Sequence, residues 1–370
     1  MPAWQFAIYQ GLEDIEQAFP REKWESIFWG AESATMSHHP DMVLNWYRSF
    51  GKLWQRDPLL IVANSNNRQV FYPFEIVREK WKGLTTRILT PIGGAFHFDF
   101  QDPLVSGVSW DKDEVESFWR GLSAYIRQAV RDCDRVVLYR LRSEFVTDMA
   151  QNMESTVCPY IDLAGKKTLD DVLANCHGSH RGDVKRQMRK LAVRGDLSLR
   201  RFDPGELPVA EDALRCFFLA YDEQWAPKGP HAYETPVGRS FLEGVLRDLL
   251  PTGLLHFSVL YCGDTPIHWH LGFVFRGRFY FYKLAGDRQW SNFSPGKVHT
   301  ALLIEYCLHN DIRYFDFLYG DESYKFTWTS QTYPLYRQQW WNGLHPVKRT
   351  IEDFIRPGYR ALKNGLPCKK

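Results

Sequence analysis

The densest chemistry in the chain lies in one run, Asp316-Phe317-Leu318-Tyr319-Gly320-Asp321-Glu322-Ser323-Tyr324-Lys325-Phe326-Thr327-Trp328. Asp316 stands between Phe315 and Phe317 in an apolar, strand-like stretch. A carboxylate in such a place must be paired, hydrogen-bonded or shifted in pKa. Lys325 is the candidate partner, so the run reads either as an ion pair that fixes a loop or as a catalytic pair. A second group lies on the hairpin of Ile267–Phe275 and Arg278–Leu284. A loop at Arg276-Gly277 pairs His270 with Lys283, Gly272 with Phe281 and Val274 with Phe279. One face then carries His268, His270 and Lys283, and the other carries Trp269, Leu271, Phe273, Tyr280, Tyr282 and Leu284. The polar face is either a site or a solvated surface. His268 and His270 form a metal-binding spacing, but no nearby carboxylate or cysteine completes a ligand set, so no metal is expected.

Two features suit anions. Ser294-Pro295-Gly296 reads as a helix start, with Ser at the cap, Pro pre-organised for the first position and Gly permitting close approach to the backbone. Arg181, Lys185, Arg186, Arg189, Lys190 and Arg194 recur at helical spacing, followed by Arg200 and Arg201. Such one-sided charge suits a cofactor phosphate, a carrier protein or RNA, unless it is a solvated face. The chain has no Walker P-loop, G-x-G-x-x-G, G-x-S-x-G or H-E-x-x-H. Cys176-His177 is adjacent on a helix, which turns the two side chains about 100° apart and disfavours a dyad.

The elements that position these residues occur twice in one order. Leu59–Ala63 and Val70–Val77 form a hairpin around Asn64-Ser65-Asn66-Asn67, followed by the strand Thr86–Leu89, a Gly93-Gly94 break, a helix over Asp113–Arg131 and the strand Arg135–Arg140. Later, Leu254–Tyr261 and Ile267–Phe275 flank Gly263-Asp264, Arg278–Leu284 follows, a helix runs Pro295–His309, and Tyr314–Leu318 is the next strand. Helices over Pro40–Phe50, Leu169–Arg194, Ala210–Trp225 and Arg239–Leu250 precede the sheets, and a C-terminal helix over Pro346–Leu366 breaks at Pro357-Gly358. This is a mixed-sheet α/β (α+β) pattern with an old duplication.

Composition agrees with a globular chain. Of 370 residues, 26 are Gly and 20 Pro, and the length suits two domains. Net charge is +2, but residues 1–155 carry 17 basic and 21 acidic side chains against 29 and 23 afterwards. Seven cysteines without a two-residue spacing read as thiols rather than a disulfide framework. No apolar run approaches the ~18 residues of a membrane span, and Met1-Pro2-Ala3-Trp4-Gln5 does not begin a signal peptide, so a cytoplasmic protein is expected.

Residues 254–328 resemble the GNAT-fold acyltransferases of the CelD/FemAB-like group, through Ile267-His268-Trp269-His270, Tyr282-Lys283 to Asp287, Ser294-Pro295-Gly296 and the Asp316–Trp328 run. The basic helix, Trp225 to Gly229, Ser37–Trp46, Tyr72-Pro73 and Gly93 to Asp102 extend the match over nearly the whole chain. The resemblance implies two tandem GNAT-like domains: 1–155 as a degenerate acceptor-side or structural domain, and 156–370 with the donor site. It implies acyl transfer to an amine or hydroxyl by direct attack, with an N-acyltransferase favoured. The usual Q/R-x-x-G-x-G/A pyrophosphate loop is absent, and Ser294-Pro295-Gly296 takes its place. The donor is therefore acyl-CoA as co-substrate, an acyl carrier protein, or the aminoacyl-tRNA of Fem peptidyltransferases, with no tightly bound cofactor. Nucleic acid enters only as that tRNA, and the acceptor is a small molecule, saccharide or peptide.

On this reading Asp316, Asp287 or His270 is the base, Tyr324 the acid, and Lys325 and Lys283 steady negative charge. Lys283, Leu284 and Ala285 lie along the donor, whose anionic groups meet Ser294, Pro295, Gly296, Arg181 and Lys185. A rival reading is a non-catalytic component of polysaccharide synthesis whose 14 Trp, 18 Tyr and 25 Phe stack on sugars. Many of these aromatics fall on expected strands, which favours core over sugar-binding surface.

Overall fold

The computed structural model describes residues 4–65, 68–93, 98–147, 153–343 and 346–351. The chain forms two compact units. One comprises the chain up to Ala34, Arg56–Glu154 and the segment from Tyr336, and the other comprises Thr35–Gln55 and Ser155–Leu335. The units are thus not two uncut halves divided near residue 155. Thr35–Gln55 joins the second because every residue of the helix Pro40–Trp46 is buried and needs a partner surface. That surface is the helix Pro236–Leu249: Gly244 leaves room for the side chain of Asn45, and the Asn45 amide donates to Asp248 at 2.7 Å.

In the first unit, β1 (Gln5–Gln10), β2 (Asp57–Ser65), β3 (Arg68–Trp81) and β4 (Leu84–Pro91) pair antiparallel in chain order. The short β5 (Leu104–Val105) lies on β3, and β6 (Arg135–Leu141) pairs parallel with β4. Residues Tyr336–Trp341 pair antiparallel with β6. A parallel neighbour demands a crossover, supplied by the helix Lys112–Ala129. Asp111 caps it by accepting from the Glu114 N–H while Glu114 returns to Asp111. Its Val115, Phe118, Leu122 and Ile126 recur at helical spacing and pack in the core against the strands. Each such side chain contributes about 1.5–3 kcal/mol of burial.

The second unit contains β7 (Met153–Asp162) from Ser155 onward, β8 (Leu197–Arg201), β9 (Leu255–Cys262), β10 (Thr265–Phe275), β11 (Arg278–Gly286) and β12 (Tyr314–Asp316), in the order β7-β12-β11-β10-β9-β8. It repeats the plan of the first: four antiparallel strands, a crossover helix over Pro295–His309, then a strand parallel to the fourth. The expected Leu169–Arg194 helix is two, Leu169–Leu173 and Gly178–Ala192, because the His177 side chain accepts from the Ser179 N–H and starts a new helix there. A helix begins at Pro346 as expected and is described to Thr350, and the break at Pro357-Gly358 lies outside the described residues. Among the described residues no helix is long and apolar enough to cross a membrane.

Candidate functional site

The hairpin register holds only as far as Gly272. Gly272 faces Phe281 and Val274 faces Phe279, but a β-bulge between Leu271 and Gly272 shifts the rest by one residue. His270 therefore faces Leu284 and Leu271 faces Lys283, so the expected His270–Lys283 pair does not form. A one-residue slip exchanges the faces of a strand. Lys283 leaves the histidine face and lays its ammonium over the Tyr282 ring at 4.3 Å, while Leu284 joins the apolar core.

The histidine face is not solvated. His268 and His270 lie beneath the crossover helix, which contributes His299, while β9 contributes His256 and Ser258. His268 and His299 meet Nδ1 to Nδ1 at 2.8 Å, and His299 Nε2 lies 3.0 Å from the Ser258 hydroxyl. Burial pushes the imidazoles of His268 and His256 down to about 3, and it lowers those of His270 and His299 well below the ordinary value, helped by the neighbouring histidines. Neutral imidazole is thus the form held in this core. His270, a candidate base, is fully buried and stacks on Phe281 at 4.7 Å, with neither ring nitrogen hydrogen-bonded among the described residues. It does not line the cavity that His268 reaches.

That cavity has a volume of about 300 Å³ and lies where β11 ends and the crossover helix begins. His268, Gly286, Asp287, Arg288, Pro295 and Glu223 are among its walls. β11 pairs with β12 only over Arg278–Tyr280. Beyond Tyr280 its edge is released, and the Gly286 N–H donates to the Gln224 side chain at 3.3 Å, away from β10. Alternation along an antiparallel strand turns the Leu284 N–H to the same side. Ala285, opposite Trp269, is buried. Asp287 caps the 3₁₀ turn Arg288–Phe293 by accepting from the Gln289 N–H at Oδ1, which leaves Oδ2 without a partner among the described residues.

Ser294 departs from the expected cap. It sits in the left-handed region at φ 49° and its side chain makes no capping bond, because it also ends the preceding 3₁₀ turn. Its carbonyl accepts from the N–H groups of Lys297 and Val298, and Pro295 has none, so Gly296 holds the remaining N–H of the first turn. Gly296 also makes room for its neighbour: a β-carbon there would stand 3.0 Å from His268 Nε2.

A strand that parts from its parallel neighbour, followed by a helix whose start borders a cavity, agrees with the comparison of this segment with known families. Residues 178–326 match the model of the acetyltransferase (GNAT) domain. That segment is GNAT-like. No curated protein matches the chain. Among solved structures, FemX superposes with a TM-score of 0.54 at 9% identity, covering 90% of this chain and 98% of that one. The C-terminal domain (DUF2156) of a protein named as a lysylphosphatidylglycerol synthetase, from Agrobacterium fabrum, scores 0.52 at 12% identity over 84% and 90% of the two chains. A conserved protein of unknown function from Bacteroides thetaiotaomicron scores 0.51 at 11% identity over 92% and 99%. At these identities the likeness is one of fold, and the fold is the FemAB-like GNAT arrangement.

The Asp316 run is rearranged from expectation. Asp316 is fully buried, but its partner is Arg278, which donates at 2.7 Å, and not Lys325. The Tyr333 hydroxyl and the Leu318 N–H also donate to it, at 2.7 and 2.8 Å. Parallel pairing of β11 with β12 brings Arg278 and Asp316 together across 38 residues, a proximity no local spacing reveals. Lys325 instead donates to the Tyr319 carbonyl at 2.6 Å and pairs with Glu322 at 2.9 Å, closing the loop on itself. Tyr324 opens the 3₁₀ turn Lys325–Thr327, and partial burial together with the Glu322 carboxylate raises its pKa, which keeps its phenol protonated.

The basic residues of the helix Gly178–Ala192 are exposed, and Val184, Gln187 and Leu191 face inward. Lys185 pairs with Asp170 at 2.8 Å, Arg186 pairs with Asp183, and Arg181 is exposed. Lys297 of the crossover helix reaches the same Asp183, tying the basic helix to the helix start at the cavity. Ser258, His256 and His299 were not singled out from the sequence. Alternation along β9 was the available signal for the first two, whereas His299 lies on a helix that is apolar around most of its circumference, where periodicity marks no face.

Proposed function

We propose that the second unit transfers an acyl group from a thioester to an amine held in the cavity at the end of β11. One observation carries this reading. The cavity brings together a strand edge released from its neighbour, the start of the crossover helix and an Asp287 oxygen with no partner among the described residues. Leu284 at that edge turns its N–H toward the donor carbonyl, where a backbone donor steadies the oxygen as charge grows. Asp287 Oδ2 takes the proton from the amine as its nitrogen bonds to the carbonyl carbon, and the departing sulfur receives that proton when the C–S bond breaks. Glu223, the other carboxylate of the cavity wall, favours an ammonium-bearing acceptor over a hydroxyl.

Acyl-CoA or an acyl carrier thioester is the proposed donor. Its phosphates meet side-chain cations more than backbone, since the first turn keeps a single open N–H while Arg288 stands in the wall. The exposed basic helix supports a second reading, in which the donor is an aminoacyl-tRNA. Sugar stacking draws little support: Phe273, Phe275, Phe279, Tyr280, Phe281, Phe315 and Phe317 are all buried core. Native mass spectrometry of the purified protein against acyl-CoAs, a loaded carrier protein and aminoacyl-tRNA tests the donor. A bound thioester is expected, and retention of aminoacyl-tRNA alone would replace it.

A further inference from the structure

Ser258, His299 and His268 form a line that ends at the cavity, and the line has a direction. Ser258 is fully buried, and its hydroxyl has one partner among the described residues, Nε2 of His299 at 3.0 Å. A buried hydroxyl proton needs an acceptor, so Ser258 donates and His299 Nε2 is bare. A neutral imidazole bare at Nε2 carries its proton on Nδ1. That proton points along the 2.8 Å contact to Nδ1 of His268, which must then be the bare acceptor. His268 in turn carries its proton on Nε2, the nitrogen that lies beside Gly296 at the helix start.

From this order we infer that His268 presents a fixed N–H donor to the cavity, that Ser258 and His299 are the positioning residues holding it in that tautomer, and that the group it serves is an oxygen gaining negative charge. Two observations converge on the spot. The crossover helix starts there with the Gly296 N–H outside its internal bonds, and His268, only 6% exposed, is one of the cavity walls, with Nε2 toward Gly296 and toward Gly286 of the same wall. His299 is faced by His268, His270 and His256, and His268 by His299 and, around the cavity, by Asp287, Glu223 and Arg288; no carboxylate among the described residues pairs with either ring, and burial lowers both well below the ordinary value. Both rings therefore stay neutral across the pH range of an enzyme assay. A neutral imidazole donor needs no proton removed before each turnover, and it does not compete with Asp287 as base.

The inference rests on the acyl-transfer reading for its chemistry: as nitrogen bonds to the carbonyl carbon, the C=O electron pair moves onto oxygen, and that oxygen accepts from His268 Nε2–H. No proton leaves the imidazole. The tautomer itself does not depend on the reading. Nitrogen-15 NMR of histidine-labelled full-length protein near neutral pH reads it directly. The expected spectrum has His268 protonated on Nε2 and bare on Nδ1, and His299 the reverse. His268 protonated on Nδ1 would overturn the inference. In the Ser258→Ala variant His299 loses its fixed orientation, and kcat for a responsive thioester–amine pair is expected to fall about tenfold, with KM and the pH profile unchanged. Ser258→Thr, which keeps the hydroxyl, is expected to recover most of it. Equal kcat in Ser258→Ala and wild type would also overturn it. A wild-type protein with the expected spectrum but no turnover on any thioester would instead count against the acyl-transfer reading alone.

Discussion

Gly296 has no side chain at the place where His268 needs room: a β-carbon added there would stand 3.0 Å from the imidazole Nε2. On its far side His268 is held by His299 at 2.8 Å, so it has no slack to retreat. Gly296→Ala is expected to lower stability modestly, by about 1 kcal/mol, since the crowding of a ring that cannot retreat outweighs the helix preference of alanine over glycine. Turnover is expected to fall tenfold or more, on the order of 1.4 kcal/mol of transition-state binding. Steady-state kinetics with a thermal melt of the same sample separates the two effects. An Ala variant with full turnover would place the reacting atoms away from His268.

Asp316 is fully buried and Arg278 half-buried against it, and breaking one side of such a pair is more damaging than deleting both. Arg278→Ala is expected to destabilise the protein by about 3–5 kcal/mol, because the Asp316 carboxylate loses its counter-charge and keeps only the Tyr333 hydroxyl and the Leu318 N–H. Denaturant midpoints measure this. Once folded at low temperature, the variant is expected to keep its kcat, which distinguishes a structural carboxylate from the base that the sequence also allowed.

Acid should loosen the fold through its histidines. Folded-state pKa values of about 3 for His256 and His268 and about 4 for His180 lie below the unfolded value near 6.5. The unfolded chain therefore binds more protons as pH falls through that window. Stability from these groups is full above about pH 6.5 and is lost progressively toward pH 3, by on the order of 1 kcal/mol per pH unit for each group. Asp102, which burial raises to about 6, and Glu305, which burial also raises, act in the opposite sense, but five imidazoles (His180, His256, His268, His270 and His299) are lowered against them. Urea midpoints are expected to drop between pH 7.5 and 4.5 and to stay level from 7.5 to 9. The variant His256→Phe, which removes one such imidazole, is expected to show a shallower fall. Equal midpoints at pH 7.5 and 4.5 would show that these imidazoles are already protonated or exposed in the fold.

Much of the fold was legible because its signals are local. The Pro295–His309 helix has the bounds expected from its Ser-Pro-Gly start, and the paired order of hairpin, helix and strand recurs in both units. What escaped is non-local. The bulge at Leu271/Gly272 moved Lys283 off the histidine face, and nothing in an alternating pattern marks a bulge before the partner strand is known. Asp316 was recognised as needing a partner, but Arg278 is supplied by strand pairing, while the nearer Lys325 is taken by Tyr319 and Glu322. Thr35–Gln55 joined the second unit because its helix is buried on all sides, which composition alone does not assign to a partner.

The central claim is that the cavity at the end of β11 performs acyl transfer with Asp287 as base. Its most direct test follows free thiol and acylated amine together, in wild type and Asp287→Asn, over a panel of acyl-CoAs and primary amines. The account expects one-to-one formation of thiol and amide by wild type and a loss of about 10²–10⁴-fold in kcat for Asp287→Asn, with donor binding retained. Equal turnover by the two proteins, or thiol release without an amide, would contradict it.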